Sequence, residues 1–320
     1  MGLTHASFLP DAAECAAAWR EVRWPDGVYC VACGSHEVEC RTSSYRGHLR
    51  RYHCLACDKW FSDVTDTALA HSKVDLPRWF YLLRELDKGR PVSQIQPEIG
   101  VTYKTALRMA RIVREALYEH RDQWRAVLQG EVEADDIHVK GGQQGRQVTH
   151  REPRERGLKE RGRGTYEGDR PLLCAWVARD GPGTILELRR DAGQHALFAS
   201  AWRHIEPGAR IDTDTWSGYN LLDAAYEHHS VKHSEQYVTA EGVHCNTAEA
   251  EWSIFKPWWR QFRGVAKRHL YQYLIQYEFK RTHRDRSAPE RWEMMLGFLY
   301  VFLTRWIGFP AGCYSPLPVH

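Results

Sequence analysis

The sequence from residue 244 to residue 256 reads HCNTAEAEWSIFK, in which Asn246 is followed three residues later by Glu249. That spacing has the form of a capping box and predicts that a helix begins here. At 3.6 residues per turn, one polar face of this helix is made of Asn246, Glu249, Ser253 and Lys256. A carboxylate and an ammonium on the polar face of a half-buried helix indicate a site, although a capped helix with a solvated side is the simpler alternative.

Two other acidic positions point to the same chemistry. Asp214 follows the strand-like run at residues 209–213, and a second run, residues 131–139, contains Asp135 and Asp136. Two aspartates on strands and a glutamate on a helix form the kind of oxygen-rich set that holds Mg²⁺ for phosphoryl transfer. Alternation along the strand does not settle which of Asp135 and Asp136 faces the site. Taken alone, Asp214 would serve equally well as a helix N-cap.

The order of elements around these acids predicts an α/β fold. In sequence there are three strands, a helix, a strand, a helix and a strand before the Glu249 helix, at residues 131–139, 172–179, 184–189, 194–204, 209–213, 216–225 and 230–233. This is the order of a ribonuclease-H-like sheet. It is expected to place the first Asp on the central strand, the second on the strand beside it, and the Glu above the same edge.

Composition bounds the class of protein. A chain of 320 residues with 43% hydrophobic and 12% aromatic residues is long and apolar enough for two or three folded domains. Its net charge of +3 does not by itself predict nucleic-acid binding. No run of about 20 apolar residues predicts a membrane span, and residues 1–10 lack a signal-peptide pattern, so we expect a cytoplasmic protein without a membrane partner.

The cysteines predict a metal site near the N-terminus. Two CxxC pairs, twenty residues apart, are formed by Cys30, Cys33, Cys54 and Cys57. This spacing is typical of a four-cysteine structural Zn²⁺ in a zinc ribbon, with Gly34 supplying the tight turn after the first pair. DNA contacts are predicted for the basic residues of the ribbon, Arg41, Arg46, Arg50 and Arg51. The alternative is a module that serves only as a metal-stabilised folding unit.

A helix-turn-helix is predicted next. Residues 93–101 read as a short helix and a glycine-containing turn, and Thr102 begins a longer helix that extends to about residue 119. The exposed face of the second helix is basic, with Lys104, Arg108 and Arg111. We expect Tyr103, Lys104 and Arg108 to face a DNA groove. An ordinary helical hairpin with one basic side is the alternative.

Four regions follow from these patterns: an N-terminal helix and zinc ribbon at 1–70, a helix-turn-helix at 71–129, a catalytic domain at 130–285, and a C-terminal helix and tail at 286–320. Residues 140–170 are rich in Gly and charge and poor in large apolar side chains, which predicts a flexible insertion in the catalytic domain. After residue 264, Arg281 belongs to an apolar helix with a basic end. Phosphate contact and ordinary packing are its two interpretations.

Several motifs resemble the bacterial insertion-sequence transposases of the ISXO-type group, which are DDE transposases with an N-terminal zinc ribbon. The resemblance covers about residues 24–284 and is carried by Glu133-Ala134-Asp135-Asp136 with Gly141-Gly142, by Thr213-Asp214 with Tyr219, by Val231-Lys232-His233-Ser234 with Tyr237-Val238, and by His244-Cys245-Asn246-Thr247-Ala248-Glu249 with Trp252-Ser253 and Lys256. An Asp stands at position 136 where the group usually has Glu, but no departure removes a predicted metal ligand.

The resemblance implies roles for particular residues. Asp135 takes the position of the first catalytic Asp, Asp214 the second and Glu249 the third, and together they would hold two Mg²⁺ or Mn²⁺ ions. Some members of the group use an Asn as the third residue, a position that Asn246 matches, so Asn246 and Glu249 both remain candidates. Lys256 is expected to place its ammonium against a DNA phosphate near the metals.

The function that this resemblance implies is DNA transposition. We expect binding of the terminal inverted repeats of an insertion sequence, metal-dependent hydrolysis at the 3′ ends, and joining of those ends to double-stranded target DNA in the nucleoid. Pairing of two ends implies a homodimer or a higher oligomer. The alternatives are an inactive DNA-binding regulator derived from such an enzyme and a structure-specific nuclease.

Overall fold

The computed structural model describes residues 9–141, 166, 170–190, 193–232, 238 and 242–301. Most of the predicted 140–170 insertion and residues 233–237 of the resemblance motifs lie outside these ranges. The N-terminal elements are α1 (Ala12–Arg23), β1 (Val38–Tyr45), β2 (Leu49–Cys54), β3 (Trp60–Ser62), α2 (Leu76–Asp87), α3 (Val92–Ile99), α4 (Tyr103–Glu119) and α5 (Arg121–Trp124). The rest of the chain forms β4 (Glu131–His138), β5 (Leu172–Ala178), β6 (Thr184–Arg189), α6 (Gln194–His204), β7 (Arg210–Asp214), a 3₁₀ helix (Ser217–Ala224), β8 (Glu227–Val231), α7 (Asn246–Arg260), a short 3₁₀ turn (Lys267–His269), α8 (Leu270–Thr282) and α9 (Ala288–Val301).

The chain divides into two compact units, one of residues 1–121 with 286–320 and the other of residues 122–285. In the first unit α9 contacts α1, α2 and α4. The guanidinium of Arg291 on α9 binds the buried carboxylate of Asp87 on α2, with N–O distances of 2.8 and 2.7 Å. The C-terminal helix therefore covers the core of the N-terminal unit. The predicted four-part division stays a prediction.

A three-stranded antiparallel sheet, in the order β1-β2-β3, forms the ribbon. The two CxxC turns match each other: Gly34 donates its N–H to the carbonyl of Cys30 at 2.8 Å, and Asp58 donates to that of Cys54 at 3.0 Å. Both residues after the pairs have positive φ, +74° at Gly34 and +60° at Asp58. The turn predicted at Gly34 is present, and Asp58 adopts the same conformation without being a glycine.

The helix-turn-helix elements form as predicted. Gly100 ends α3 in the left-handed conformation, with φ +63°. Thr102 caps α4, since its hydroxyl accepts the N–H of Thr105 at 3.2 Å. The buried residues of α4 include all five predicted inward positions, Ala106, Met109, Ala110, Val113 and Leu117, and also Arg114, Glu115 and Ala116.

The second unit is built on a five-stranded sheet in the order β6-β5-β4-β7-β8. The first three strands in the chain, β4, β5 and β6, are antiparallel neighbours, while β7 and β8 add in parallel on the other side of β4. This is the ribonuclease-H-like topology that the element order predicts, with the first strand at the centre. The predicted strand at residues 230–233 is displaced, because β8 runs from Glu227 to Val231.

The two faces of this sheet carry separate cores. On one face, β4 and β5 pack against α6 and the 3₁₀ helix through residues that include Val132, Ala134, Trp176, Leu197 and Tyr219. On the other face, β5 packs against α7 and α8 through residues that include Ala175, Val177, Ala248, Phe255 and Leu274. Within the described ranges, no helix is both long and apolar enough to span a bilayer.

Candidate active site

Helix α7 begins without the predicted capping box. Its N-cap residue is Cys245, whose side chain accepts no capping hydrogen bond, and Asn246 is already the first helical residue. The first-turn N–H groups instead go to a carboxylate from β4: Glu133 accepts the N–H of Thr247 at 2.6 Å and that of Ala248 at 3.0 Å. The capping-box prediction is wrong because the helix receives its cap from a strand more than a hundred residues earlier.

The faces of β4 separate the two neighbouring aspartates. Val132 and Ala134 belong to the core that lies against α6 and the 3₁₀ helix, so the alternate positions face α7. Asp135 lies opposite Ala175, a residue of the α7 core. Asp136 faces the other way, since it lies opposite Cys174, a residue of the core against α6 and the 3₁₀ helix. Asp135 is therefore the aspartate on the side of α7.

Asp135 lies among other acidic groups. Burial, and after it the charges of Asp136, Asp214 and Glu249, raise the pKa of Asp135 to about 6, against a lowering hydrogen bond from the Asp136 N–H. The three acids Asp135, Asp214 and Glu249 thus share one electrostatic environment. A divalent cation would relieve this repulsion, and carboxylate oxygens are ligands that Mg²⁺ prefers, so the residues present fit such an ion.

Asp214 ends β7, the strand next to β4. The parallel register pairs Glu131 with Arg210 and Glu133 with Asp212, and Asp135 and Asp214 each lie two residues beyond this last pair, on the same faces of their strands as Glu133 and Asp212. The Asp214 carboxylate also accepts the N–H of Trp216 at 2.9 Å, at the start of the 3₁₀ helix. Trp216 is the N-cap residue of this helix, so Asp214 binds the chain just before the helix and is not the predicted N-cap; its place in a metal site stays a prediction.

The three carboxylates do not form a closed metal cluster by themselves. Among the described residues, the one group of three or more acidic, His or Cys side chains whose ligand atoms all lie within 4.8 Å of one another is the cysteine set. The carboxylate oxygens of Asp135, Asp214 and Glu249 therefore do not all lie within 4.8 Å of one another.

The polar face predicted for α7 is present. Asn246, Glu249, Ser253 and Lys256 are all exposed, and Trp252 and Phe255 are buried against the sheet. The 3.6-residue periodicity was sufficient to assign these faces, since it depends only on helix geometry and not on how the helix is capped.

A buried ionic network below the candidate site was missed by the sequence interpretation. Arg179, just after β5, binds Glu133 at 3.0 Å and Asp212 at 2.6 Å, and donates to the carbonyl of His244 at 3.2 Å. Burial opposes ionisation of Asp212, but Arg210 and Arg179 hold its pKa below the usual range. The alternation of side chains along a strand could have revealed these acids. Glu133 and Asp212 each lie two residues before a candidate aspartate and therefore share its face of the strand.

The four predicted zinc ligands come together in the ribbon. The sulfurs of Cys30, Cys33, Cys54 and Cys57 lie within 4.8 Å of one another, with 3.5 Å between Cys30 and Cys57 and 3.6 Å between Cys33 and Cys54. Burial would raise the pKa of Cys30, but the N–H groups of Ala32 and Cys33 and the neighbouring thiols hold it at about 7. Four converging sulfurs, one of them easily ionised, fit the tetrahedral thiolate chemistry of Zn²⁺.

The predicted DNA-binding residues of the ribbon lie on its surface. Arg41, Arg46, Arg50 and Arg51 are all exposed. Arg41 pairs with Glu39, and Arg46 donates to the carbonyl of Ser72 at 3.3 Å. The guanidinium of Arg51 lies 5.0 Å from the ring centroid of Trp60, which is itself 46% exposed. This face of the ribbon combines positive charge with an open aromatic ring.

On α4, the residues predicted to face a groove are accessible. Tyr103 is 52% exposed, Lys104 and Arg108 are exposed, and Arg111 is half-buried. The first two turns of α4 therefore present an aromatic and a basic surface, to which the half-buried Arg111 contributes less.

The surroundings of Arg281 favour the packing interpretation over a phosphate contact. Its guanidinium binds the buried carboxylate of Glu251 on α7 through three N–O contacts of 2.8 to 3.0 Å. Tyr277 donates its hydroxyl to the same carboxylate at 2.6 Å. Since Glu251 takes up the charge of Arg281, this arginine ties α8 to α7 and does not present a free cation to DNA.

Replacing Arg281 with Met is therefore expected to destabilise the second unit by about 3 kcal/mol, because the buried Glu251 loses its counterion. The slope of DNA affinity against salt concentration should not change. Thermal unfolding and salt titrations check both statements, with Arg260→Met, an exposed arginine at the end of α7, as the matched control. If the slope of DNA affinity against salt concentration became shallower for Arg281→Met but not for Arg260→Met, Arg281 would be assigned to the DNA-binding surface.

Comparison with known proteins agrees with this architecture. Residues 127–282 match the family described as the ISXO2-like transposase domain. An uncharacterized protein in the transposable element ISH50 of Halobacterium salinarum is 34% identical over 281 residues, which cover 86% of this chain and 92% of the relative.

Two solved structures show much weaker similarity. The mariner Mos1 paired end complex with Mg is 14% identical, covering 68% of this chain and 76% of that chain, with a TM-score of 0.26. A simian T-cell lymphotropic virus intasome in complex with the PP2A regulatory subunit B56 gamma is 12% identical, covering 74% and 80%, with a TM-score of 0.27. These low TM-scores carry no weight for the fold, which is assigned from the strand order of the sheet.

The match to residues 127–282 and the extended identity to the ISH50 protein show that this chain belongs to the ISXO2-like transposase family.

Proposed function

We propose that this transposase-family chain binds the terminal inverted repeats of an insertion sequence, hydrolyses the 3′ ends and joins them to target DNA. The observation that supports the proposal is geometric: Asp135 lies on the side of β4 that packs against α7, Asp214 ends the neighbouring strand β7, and Glu249 lies on the exposed face of α7. Acidic side chains from three separate elements would then meet near one edge of the sheet. Such an arrangement is costly unless a cation compensates it.

The residues that would hold Mg²⁺ or Mn²⁺ are Asp135 and Asp214, with Glu249 or Asn246 as the third. When bound there, the ions supply activation of a water or a 3′-hydroxyl and stabilisation of charge on the leaving oxygen. The chain itself orients the ligands: the N–H of Asp136 holds one Asp135 oxygen and that of Trp216 holds one Asp214 oxygen. Lys256 lies on the same exposed face of α7 as Glu249 and would contact a DNA phosphate.

Two accessory surfaces would recognise DNA. The ribbon, with a structural Zn²⁺ on its four cysteines, offers exposed arginines beside Trp60. The first two turns of α4 offer Tyr103, Lys104 and Arg108, as expected of a recognition helix. Synapsis of two element ends would require a homodimer or a larger oligomer, acting on DNA in the cytoplasm.

The test is a cleavage and joining assay on an end-containing duplex with Mg²⁺. The proposal predicts nicking at the 3′ end and, with pre-cleaved ends, strand transfer to a target plasmid. A structure-specific nuclease would cut without joining pre-cleaved ends. An inactive regulator would bind the duplex and give no Mg²⁺-dependent product.

The third ligand can be assigned with two variants. Glu249→Gln is expected to lower cleavage by about a thousandfold, the equivalent of roughly 4 kcal/mol of lost charge stabilisation, because Gln removes the negative charge of the proposed third ligand. Asn246→Ala should have a much smaller effect. Single-turnover cleavage rates at saturating DNA compare the two, and the reverse order of effects would assign the role to Asn246.

A further inference from the structure

The buried carboxylate of Glu133 joins the two elements that carry candidate ligands. Besides the N–H groups of Thr247 and Ala248, it accepts the hydroxyl of Thr247 at 2.9 Å and lies 3.0 Å from the Nδ1 of His244. Its side chain is fully buried. On β4 it is two residues from Asp135, and its contacts on α7 end one residue before Glu249.

Arg179 and Asp212 hold this carboxylate from the other side. Arg179 contacts Glu133 at 3.0 Å and Asp212 at 2.6 Å, and Asp212 lies two residues before Asp214 on β7. Arg210 binds the second oxygen of Asp212 at 2.9 Å. The network therefore reaches all three elements, β4, β7 and α7, at positions one or two residues from each candidate ligand.

A cap that only stabilised the N-terminus of α7 would not need a buried ionic network on a distant strand. A Ser, Asp or Asn at position 245 would satisfy the first turn of α7 locally, and taking several charges out of water is costly unless each is paired. A remote cap adds what a local cap lacks, because it fixes the first turn of α7 relative to the central strand. A charged acceptor at a helix N-terminus is also stronger than a neutral one.

We propose that Glu133 is a positioning residue: by capping α7 from β4, with Arg179 as its counterion, it sets the distance between Glu249 and Asp135 and so the affinity of the acidic site for divalent cations. Glu133 does not touch the cation or the DNA. The inference rests on the proposed function for its catalytic consequence, but its effect on α7 and on cation binding can be measured without cleavage.

The experiment compares Glu133→Gln with the wild-type full chain. Gln keeps the shape, but it places an amide donor toward Arg179 and His244 or toward the helix N–H groups, whichever way it turns. We expect Mn²⁺ affinity, titrated by electron paramagnetic resonance, to fall by about 10- to 100-fold, as for other residues that orient metal ligands. The amides of Thr247 and Ala248 should exchange hydrogen faster, and cleavage should require correspondingly more Mg²⁺.

Glu251→Gln is the matched control, since Glu251 is also a buried carboxylate paired with an arginine but lies on α7 away from its first turn. It should lower stability without changing Mn²⁺ affinity or exchange at Thr247. Thr247→Val removes only the hydroxyl donor to Glu133 and should also weaken Mn²⁺ binding, by a smaller factor than Glu133→Gln. This variant tests the proposal even if Glu133→Gln does not fold.

Equal Mn²⁺ affinity in the wild type, Glu133→Gln and Thr247→Val would overturn the positioning role. So would equal losses in Glu133→Gln and Glu251→Gln, because both would then act through general stability. A wild-type chain that binds Mn²⁺ and shows the predicted variant order, yet cuts no DNA, would refute the proposed function while supporting the positioning role.

Discussion

Replacing Asp214 with Asn is expected to abolish strand cleavage while leaving binding of element ends within about twofold of the wild type, since the phosphate contacts that dominate affinity are proposed for the ribbon and α4. The substitution separates the two roles of this residue. Asn retains the oxygen that accepts the Trp216 N–H, so the start of the 3₁₀ helix is preserved. It removes the charge that a divalent cation needs, for an expected loss of at least about a thousandfold in the cleavage rate.

A matched pair on β4 provides the control. Asp135→Asn should reduce cleavage as strongly as Asp214→Asn, whereas Asp136→Asn should have a much smaller effect, because Asp136 lies opposite Cys174 on the side of the sheet that packs against α6. Single-turnover cleavage and gel-shift affinity are measured for all three variants. Retained cleavage by Asp214→Asn, or a stronger effect at Asp136 than at Asp135, would contradict the proposed site.

Replacing Cys57 with Ser is expected to empty the ribbon of metal. Zinc content should fall from one ion per chain to near zero, because three thiolates and a hydroxyl bind Zn²⁺ far more weakly than four thiolates. Metal binding supplies the folding free energy of such small modules, on the order of 10 kcal/mol or more. The amides of β1, β2 and β3 should therefore lose protection from hydrogen exchange, and affinity for element ends should fall.

Cys40 gives the control for this prediction. It is an exposed thiol on β1 that lies outside the cluster, so Cys40→Ser should retain zinc, amide protection and DNA affinity. Zinc is quantified by atomic absorption on the two purified variants. Full zinc occupancy in Cys57→Ser would show that the cysteine cluster does not bind metal through all four sulfurs.

The features that depend on local periodicity were predictable from the sequence. The exposed face of α7 with Glu249 and Lys256, the bounds of α6, the cap of α4 at Thr102 and the CxxC turns all follow from residues close together in the chain. The strand order was also predictable, because a ribonuclease-H-like sheet has a characteristic sequence of elements.

The features that depend on distant partners were not predictable. The cap of α7 was assigned to Asn246 because local sequence cannot reveal that Glu133 lies against the first turn. Arg281 was a candidate DNA contact because its partner Glu251 lies thirty residues away on another helix. The choice between Asp135 and Asp136 required knowing which face of β4 is covered by α7, and that is a property of tertiary packing.

The central claim is that carboxylates from β4, β7 and α7 hold divalent cations together, and a Mn²⁺ titration of the full chain tests it most directly. Electron paramagnetic resonance measures free Mn²⁺ for the wild type, Asp135→Asn, Asp214→Asn and Glu249→Gln, with Asp136→Asn as the control. We predict saturable binding that each of the first three variants weakens by at least about tenfold, while Asp136→Asn remains near the wild type. Mn²⁺ affinity that is unchanged in Asp135→Asn and Asp214→Asn would contradict the account.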